Sequence, residues 1–173
     1  MYACVMGDAF LRLCEPVRQF HSHAGKSTFS GTVEIDAPVS RLAWLLAVCV
    51  GSPLQAVNGP LKFELDAHRD METWTRHFPF KSMTSQMVRQ GDRVIETLGA
   101  ARLSFSLHER EGGLEMRLER MHFWGIPCPR WLMPVIEATE TGCDGALHFH
   151  VTATVPLIGM VTSYRGKLGV AAP

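Results

Sequence analysis

His148 and His150 stand two residues apart in the run 146–155, so on an extended strand both imidazoles leave the same face about 7 Å apart. Such a pair begins a metal site when a third ligand reaches it from a neighbouring strand. No glutamate follows at the spacing that metal-binding barrels use, so the face reads as solvated and no metal or cofactor is expected. His21 and His23 sit at a helix end, where the helix dipole alone favours cations. Trp74, Arg76 and Phe78 share one face of an alternating segment, and Thr73, Thr75 and His77 share the other. If the aromatic face points inward, Arg76 is a buried charge that needs a carboxylate or an anionic ligand, with Glu96, Glu115 and Glu119 as candidate partners.

A second interruption comes later. Leu114, Met116 and Leu118 hold one face until Arg120 and His122 replace them, while Met121 and Phe123 take the opposite face. That pattern predicts a bulge or a change from core-facing to cavity-facing. Cys128 lies between two prolines with only Arg130 beside it, a poor setting for a thiolate nucleophile. The motifs GxSxG, HExxH, GxxxxGK[ST] and GxGxxG are absent. Arg76, His122, His148, His150 and Tyr164 are the acid, base and anion-binding types available, and nothing in their spacing pairs them.

The elements that must carry these residues follow from periodicity. Apolar residues from Val5 to Phe20 recur at three- and four-residue steps and predict an amphipathic helix kinked or split by Pro16. From Phe29 to Ile35 the period changes to two, a half-buried strand. Ser40 opens a second helix, 41–50, closed by Gly51; it is apolar on nearly every side and is expected to be covered on more than one face. Alternating segments then predict strands at 61–67, 73–78, 81–88, 93–98, 102–108, 114–123, 135–141 and 146–155, separated by hairpin signals such as Gln90-Gly91-Asp92. The segment 125–134 carries three prolines and reads as a stiff loop or single turn. Residues 157–168 cannot be assigned to helix or strand from their pattern.

The fold class is therefore α+β, mostly β. It is expected to be a strongly curved antiparallel meander, a half-open or closed barrel, with an N-terminal helix and a second helix after the first strand. The chain reads as one domain, 1–173, with 1–24 a helical segment packed on it. Its 173 residues are 46% hydrophobic, with 17 basic and 17 acidic side chains, which gives no overall field for nucleic acid or anionic lipid. No apolar run is long enough for a membrane-spanning helix, and the first residues lack the pattern of a secretory signal. Five cysteines with no CxxC suit a reducing, cytoplasmic setting.

Three stretches taken together, Trp74–Ser82, Trp124–Pro134 and Pro156–Gly166, resemble an uncharacterised bacterial domain family. That family occurs alone or fused C-terminal to saccharopine-dehydrogenase-like NAD(P)-binding domains. The resemblance runs from about Gly31 to Leu168, and this chain looks like the stand-alone form. The resemblance implies small-molecule metabolism and brings no catalytic residues with it.

The residues favour a non-enzymatic module that binds a small apolar or amphipathic molecule in the concavity of the sheet, lined by Trp74, Arg76, His122, Trp131 and Tyr164. The alternatives are an enzyme or substrate-handling subunit working with a separate NAD(P) reductase, and a structural or oligomerising domain. A small ligand is the expected partner, with a homodimer or a separate NAD(P)-binding protein also allowed. The stiff 127–134 loop and the 156–166 segment are expected to form one rim of the pocket, with Trp131 and Tyr164 at its mouth.

Overall fold

Alternation of apolar and polar residues along nearly every segment after residue 25 builds eleven strands and leaves three short helices at their ends. The computed structural model describes residues 1–170. The strands are β1 (Gly25–Asp36), β2 (Val57–Ala67), β3 (Met71–Phe78), β4 (Lys81–Gln90), β5 (Arg93–Leu98), β6 (Ala101–Arg110), β7 (Gly113–Phe123), β8 (Ile126–Pro127), β9 (Val135–Cys143), β10 (Ala146–Val155) and β11 (Gly159–Gly169). Each pairs antiparallel with its sequence neighbour through β7. Thereafter β7 also pairs with β9, β9 with β10, β10 with β11, and β11 returns to β1. The meander therefore closes into a ten-stranded barrel, with β8 as a short flap on the end of β7. Closure removes the exposed edges that an open sheet of this size would carry. The β1–β11 seam needs glycine: a Cβ on Gly31 would collide with the Lys167 carbonyl, and one on Gly166 with the Thr32 carbonyl.

One end of the barrel is plugged by the N-terminal segment. Of the two outcomes its periodicity allows, kinked or split, it is split. α1 (Tyr2–Met6) runs into a 3-10 turn, Gly7–Arg12, and α2 (Glu15–His21) starts afresh with Pro16 in its first turn. Proline is favoured there because its missing N–H has no intrahelical partner to lose. Tyr2, Phe10, Leu13, Val17 and Phe20 descend from these turns onto Phe29, Phe63, Trp74 and Leu147 and form the main core.

α3 (Arg41–Val50) lies outside the other end. Ser40 caps it, its hydroxyl accepting from the Ala43 N–H at 3.1 Å and donating to the Ile158 carbonyl at 2.9 Å. Contrary to the expectation of cover on several faces, only the Ala43/Ala47 stripe is buried, against Val161 on the outer face of β11. Leu42, Trp44, Leu45 and Val48 face outward. The far end of α3 reaches the β5–β6 turn, where the Cys49 carbonyl accepts from the Ala100 N–H at 3.0 Å and Val50 packs with Ala101 and Leu103. The helix therefore runs across this end of the barrel, and among the described residues its outward side stays uncovered.

The final segment, unreadable from its pattern, is β11. Its inward phase carries Thr162, Tyr164 and Leu168, but Val161 on the outward phase is buried beneath α3, which erases the alternation. The predicted bulge is present. The β6–β7 register shifts between Ser104/Arg120 and Phe105/Leu118, so Glu119 is the extra residue. After it, Met121 and Phe123 pack inward in place of the Leu118 phase.

Candidate functional site

β3 sets the centre of the site. Glu72, Trp74, Arg76 and Phe78 occupy its inward phase and all four are buried. Arg76 is 6% exposed. Its Nη1 donates to Ser85 Oγ at 3.1 Å, and its guanidinium lies 5.1 Å from the Trp74 ring centroid and 5.6 Å from that of Phe63. Those ring faces attract a cation. Among the described residues no carboxylate forms an ion pair with it. Of its candidate partners, Glu115 bonds Arg117 and Glu119 bonds Ser106 on the outer surface. Glu96 alone points inward, between Val94 and Leu98 of β5.

Arg76, Glu96, Trp74, Tyr164 and Glu140 line a void of about 90 Å³ inside the barrel. Its other walls are mostly apolar, with Met83, Met87, Leu103, Phe105 and Met116 prominent. A smaller void of about 40 Å³ adjoins it toward the plug and shares Trp74, Arg76, Glu140 and Tyr164. At the unplugged end Val50, Ser52 and Thr162 reach the larger void. The Ser52 hydroxyl donates to Thr162 Oγ1 at 2.6 Å, and Lys81 Nζ donates to the Ser52 carbonyl at 2.9 Å.

The wall is weakest beside β9. Its ladder with β7 holds three register pairs, Leu114–Glu140 to Met116–Ala138, whereas β6 and β7 pair along their whole length. Beyond Met116 the strands part, and the end of β7 pairs with β8 instead. Ile136 and Ala138 line the void beside this split, and they pack with Leu118, Met121 and Phe123 across it.

A charged cluster sits beneath the plug. His21 Nε2 and Glu140 Oε2 are 2.6 Å apart, and the Tyr2 ring lies against His21, tilted by 31° with centroids 3.8 Å apart. Trp74 Nε1 donates to Glu72 at 2.9 Å. Burial pushes the Glu72 carboxyl above its ordinary range, opposed by His21 and by the Trp74 bond. Burial likewise raises the Tyr2 and Tyr164 hydroxyls, so both stay protonated. A carboxyl raised in the folded state binds more protons than in the unfolded chain. Its contribution is therefore favourable below the unfolded value and is lost as pH rises through the folded one. Glu72→Gln keeps an oxygen for Trp74 to donate to. It is expected to match the native protein near pH 4 and to exceed it in urea-unfolding stability as pH rises to about 8. A difference independent of pH would mean that Glu72 does not titrate with folding.

The residues singled out by sequence divide into four places. Trp74, Arg76 and Tyr164 converge on the void. Tyr164 is not at the mouth; it is buried, with its ring 5.7 Å from Phe78 and 6.2 Å from Phe149, because the inward phase of β11 carries it to mid-barrel. His122 is outside, in a groove with Arg93, Arg102 and Arg120, because the bulge returns it to the outer face. His148 and His150 line another outer groove, with Glu34, Arg165 and Lys167. Trp131 is 68% exposed on the loop beside the open end, so it neither caps the core nor lines the void. Cys128 lies on the same loop, and burial raises its thiol, the opposite of what a nucleophile needs.

Sequence reasoning missed Glu72 and Glu140 as interior groups. The available signal was phase: Glu72 shares the register of Trp74 and Arg76, and Glu140 that of Ile136 and Ala138. Among the described residues no group of three or more His, Cys, Asp or Glu side chains could hold a metal ion, and no helix is long and apolar enough to cross a membrane.

Comparison with known proteins adds a family. No curated protein matches the sequence. Among solved structures the chain is similar to the crystal structure of Rv2717c from M. tuberculosis, at 9% identity and a TM-score of 0.48, covering 92% of this chain and 99% of that one. The family model described as a domain of unknown function, DUF4166, matches residues 13–168, and the chain belongs to that family.

Proposed function

We propose that the barrel is a binding module that holds a small amphipathic molecule and performs no chemistry on it. One observation carries this reading: Arg76 and Glu96 reach a common void of about 90 Å³ without forming an ion pair with each other, and most of the remaining wall is apolar. Guanidinium offers only donors, and an ionised carboxylate only acceptors. A neutral head with an acceptor and a donor side by side, such as a primary carboxamide, answers both groups at once. A carboxylate head would face Glu96 as a like charge. The apolar tail lies against Met83, Met87 and Met116, whose flexible thioethers adjust to its shape. For scale, an apolar cavity of about 150 Å³ holds benzene, and this void is smaller even with its 40 Å³ neighbour added. The occupant is therefore smaller than an aromatic ring, a short chain of about five heavy atoms.

The scatter of His122, His148 and His150 over two outer grooves leaves only Arg76 and Tyr164 together from the acid–base set, which supports binding over turnover. Calorimetric titration with propanamide, propan-1-ol and propanoate tests the reading. Propanamide is expected to bind tightest, and propanoate about tenfold more weakly or worse, the cost of a poorly matched buried charge. Equal affinity for propanoate would remove Glu96 from the site. No uptake of any of the three, together with a single unliganded mass for protein purified from cells and sprayed under native conditions, would show a filled interior and overturn the proposal.

A further inference from the structure

The barrel ends differ in a way that the whole-chain charge balance conceals. At the plugged end, segments 1–24, 67–72, 89–93, 109–113 and 142–146 hold eight acidic and six basic residues. At the other end, segments 37–60, 78–82, 99–102, 120–135 and 155–160 hold Arg41, Lys81, Arg102, Arg120 and Arg130. The acidic residues beside them are Asp36, which accepts from Ser163, and Glu34, which pairs with Arg165, and Arg102 and Arg120 share a side-wall groove with Asp92. The same end carries nearly all the exposed large apolar side chains. α3 presents Leu42, Trp44, Leu45 and Val48 outward. Around the mouth, the turn tips add Phe80, Trp124 at 71% exposure and Leu157 at 95%, and the proline-rich loop adds Ile126 and Trp131. The plugged end exposes only Leu11, Met71 and Val88 of this class.

We infer that the open end docks on the surface of an anionic lipid bilayer. Bulky aromatic and aliphatic tips on turns seat at the headgroup–acyl boundary, where tryptophan is favoured. The excess of basic over acidic residues, with Arg41, Lys81 and Arg130 nearest the exposed apolar tips, suits anionic headgroups, and Arg and Lys carry apolar stems that tolerate the boundary. A protein partner with an acidic rim offers charge too. The tips, however, belong to several separate turns and a helix encircling a mouth, which fits a deformable surface better than one complementary groove. The inference stands on the rim alone and does not depend on what the barrel holds.

Sedimentation of the full chain with vesicles tests it. Vesicles of phosphatidylcholine with about 30 mol % phosphatidylglycerol are expected to bind the protein, pure phosphatidylcholine vesicles to bind far less, and added salt to release it. Trp124→Ser/Trp131→Ser is expected to lower the partition coefficient roughly tenfold or more. Leu11→Ser, which removes an exposed apolar group from the plugged end, is expected to leave it unchanged. Circular dichroism melts confirm that both variants fold. Failure to bind anionic vesicles, or binding that the rim variant does not reduce, overturns the inference. So does a dimer in size-exclusion light scattering that the rim variant dissolves while vesicle binding is absent, an outcome that assigns the face to a second copy.

Discussion

Arg76→Met is expected to lower the stability of the barrel at pH 7 by about 3–5 kcal/mol, although methionine suits an otherwise apolar wall. The loss comes from charge rather than volume. Glu96 lines the same void as Arg76, which is its counter-charge, whereas Glu72 and Glu140 face His21 instead. Removing the guanidinium leaves Glu96 buried with no cation close by, which favours its protonated form. The deficit should therefore shrink as pH falls, because the folded variant binds more protons than its unfolded chain. Arg76→Met/Glu96→Met removes both charges and is expected to recover stability to within about 1 kcal/mol of the native protein, as replacement of whole buried charge sets often does. Urea unfolding of the four proteins of this cycle at pH 5 and pH 7 reads the effect. A single variant as stable as the native protein at pH 7 would mean that Glu96 does not depend on Arg76.

The second large effect concerns the plug. Phe20 is almost wholly buried, with its ring centroid 5.2 Å from Phe29, 5.4 Å from Phe63 and 5.8 Å from Trp74. Phe20→Ala removes these contacts and opens a cavity at the junction of α2 with β1, β2 and β3. A loss of about 3–5 kcal/mol is expected. Phe20→Leu, which conserves much of the volume, should cost under about 1.5 kcal/mol. Equilibrium urea unfolding separates the two. Equal, small losses would show that the N-terminal segment contributes little to closing this end.

Much of the barrel is legible in the sequence because half-buried strands announce themselves by alternation. The inward place of Arg76 followed from its phase with Trp74 and Phe78. The bulge at Glu119 followed from Arg120 and His122 taking over the phase of Leu118. The alternation allowed a half-open or a closed barrel and did not decide between them, because closure depends on β1 pairing with β11 at the far end of the chain, a contact that no local pattern records. Tyr164 and β11 were obscured for a different reason: α3 covers Val161 on the outer face, so both faces of the strand look apolar. α3 itself was misleading in the opposite direction. An all-apolar helix ordinarily means burial, yet its outward side chains belong to an exposed rim. That departure from the usual rule is itself the observation that points to a surface to be covered.

The central claim, that a small amphipathic molecule lies inside the barrel between Arg76 and Glu96, is tested most directly through the methionine methyl groups. Met83, Met87 and Met116 line the void, whereas Met71 is exposed at the plugged end. Methyl NMR of methionine-labelled protein titrated with propanamide is expected to shift the three interior resonances in parallel and leave Met71 in place. Shifts confined to surface methyls, or interior methyls unmoved at saturating propanamide, would contradict the account.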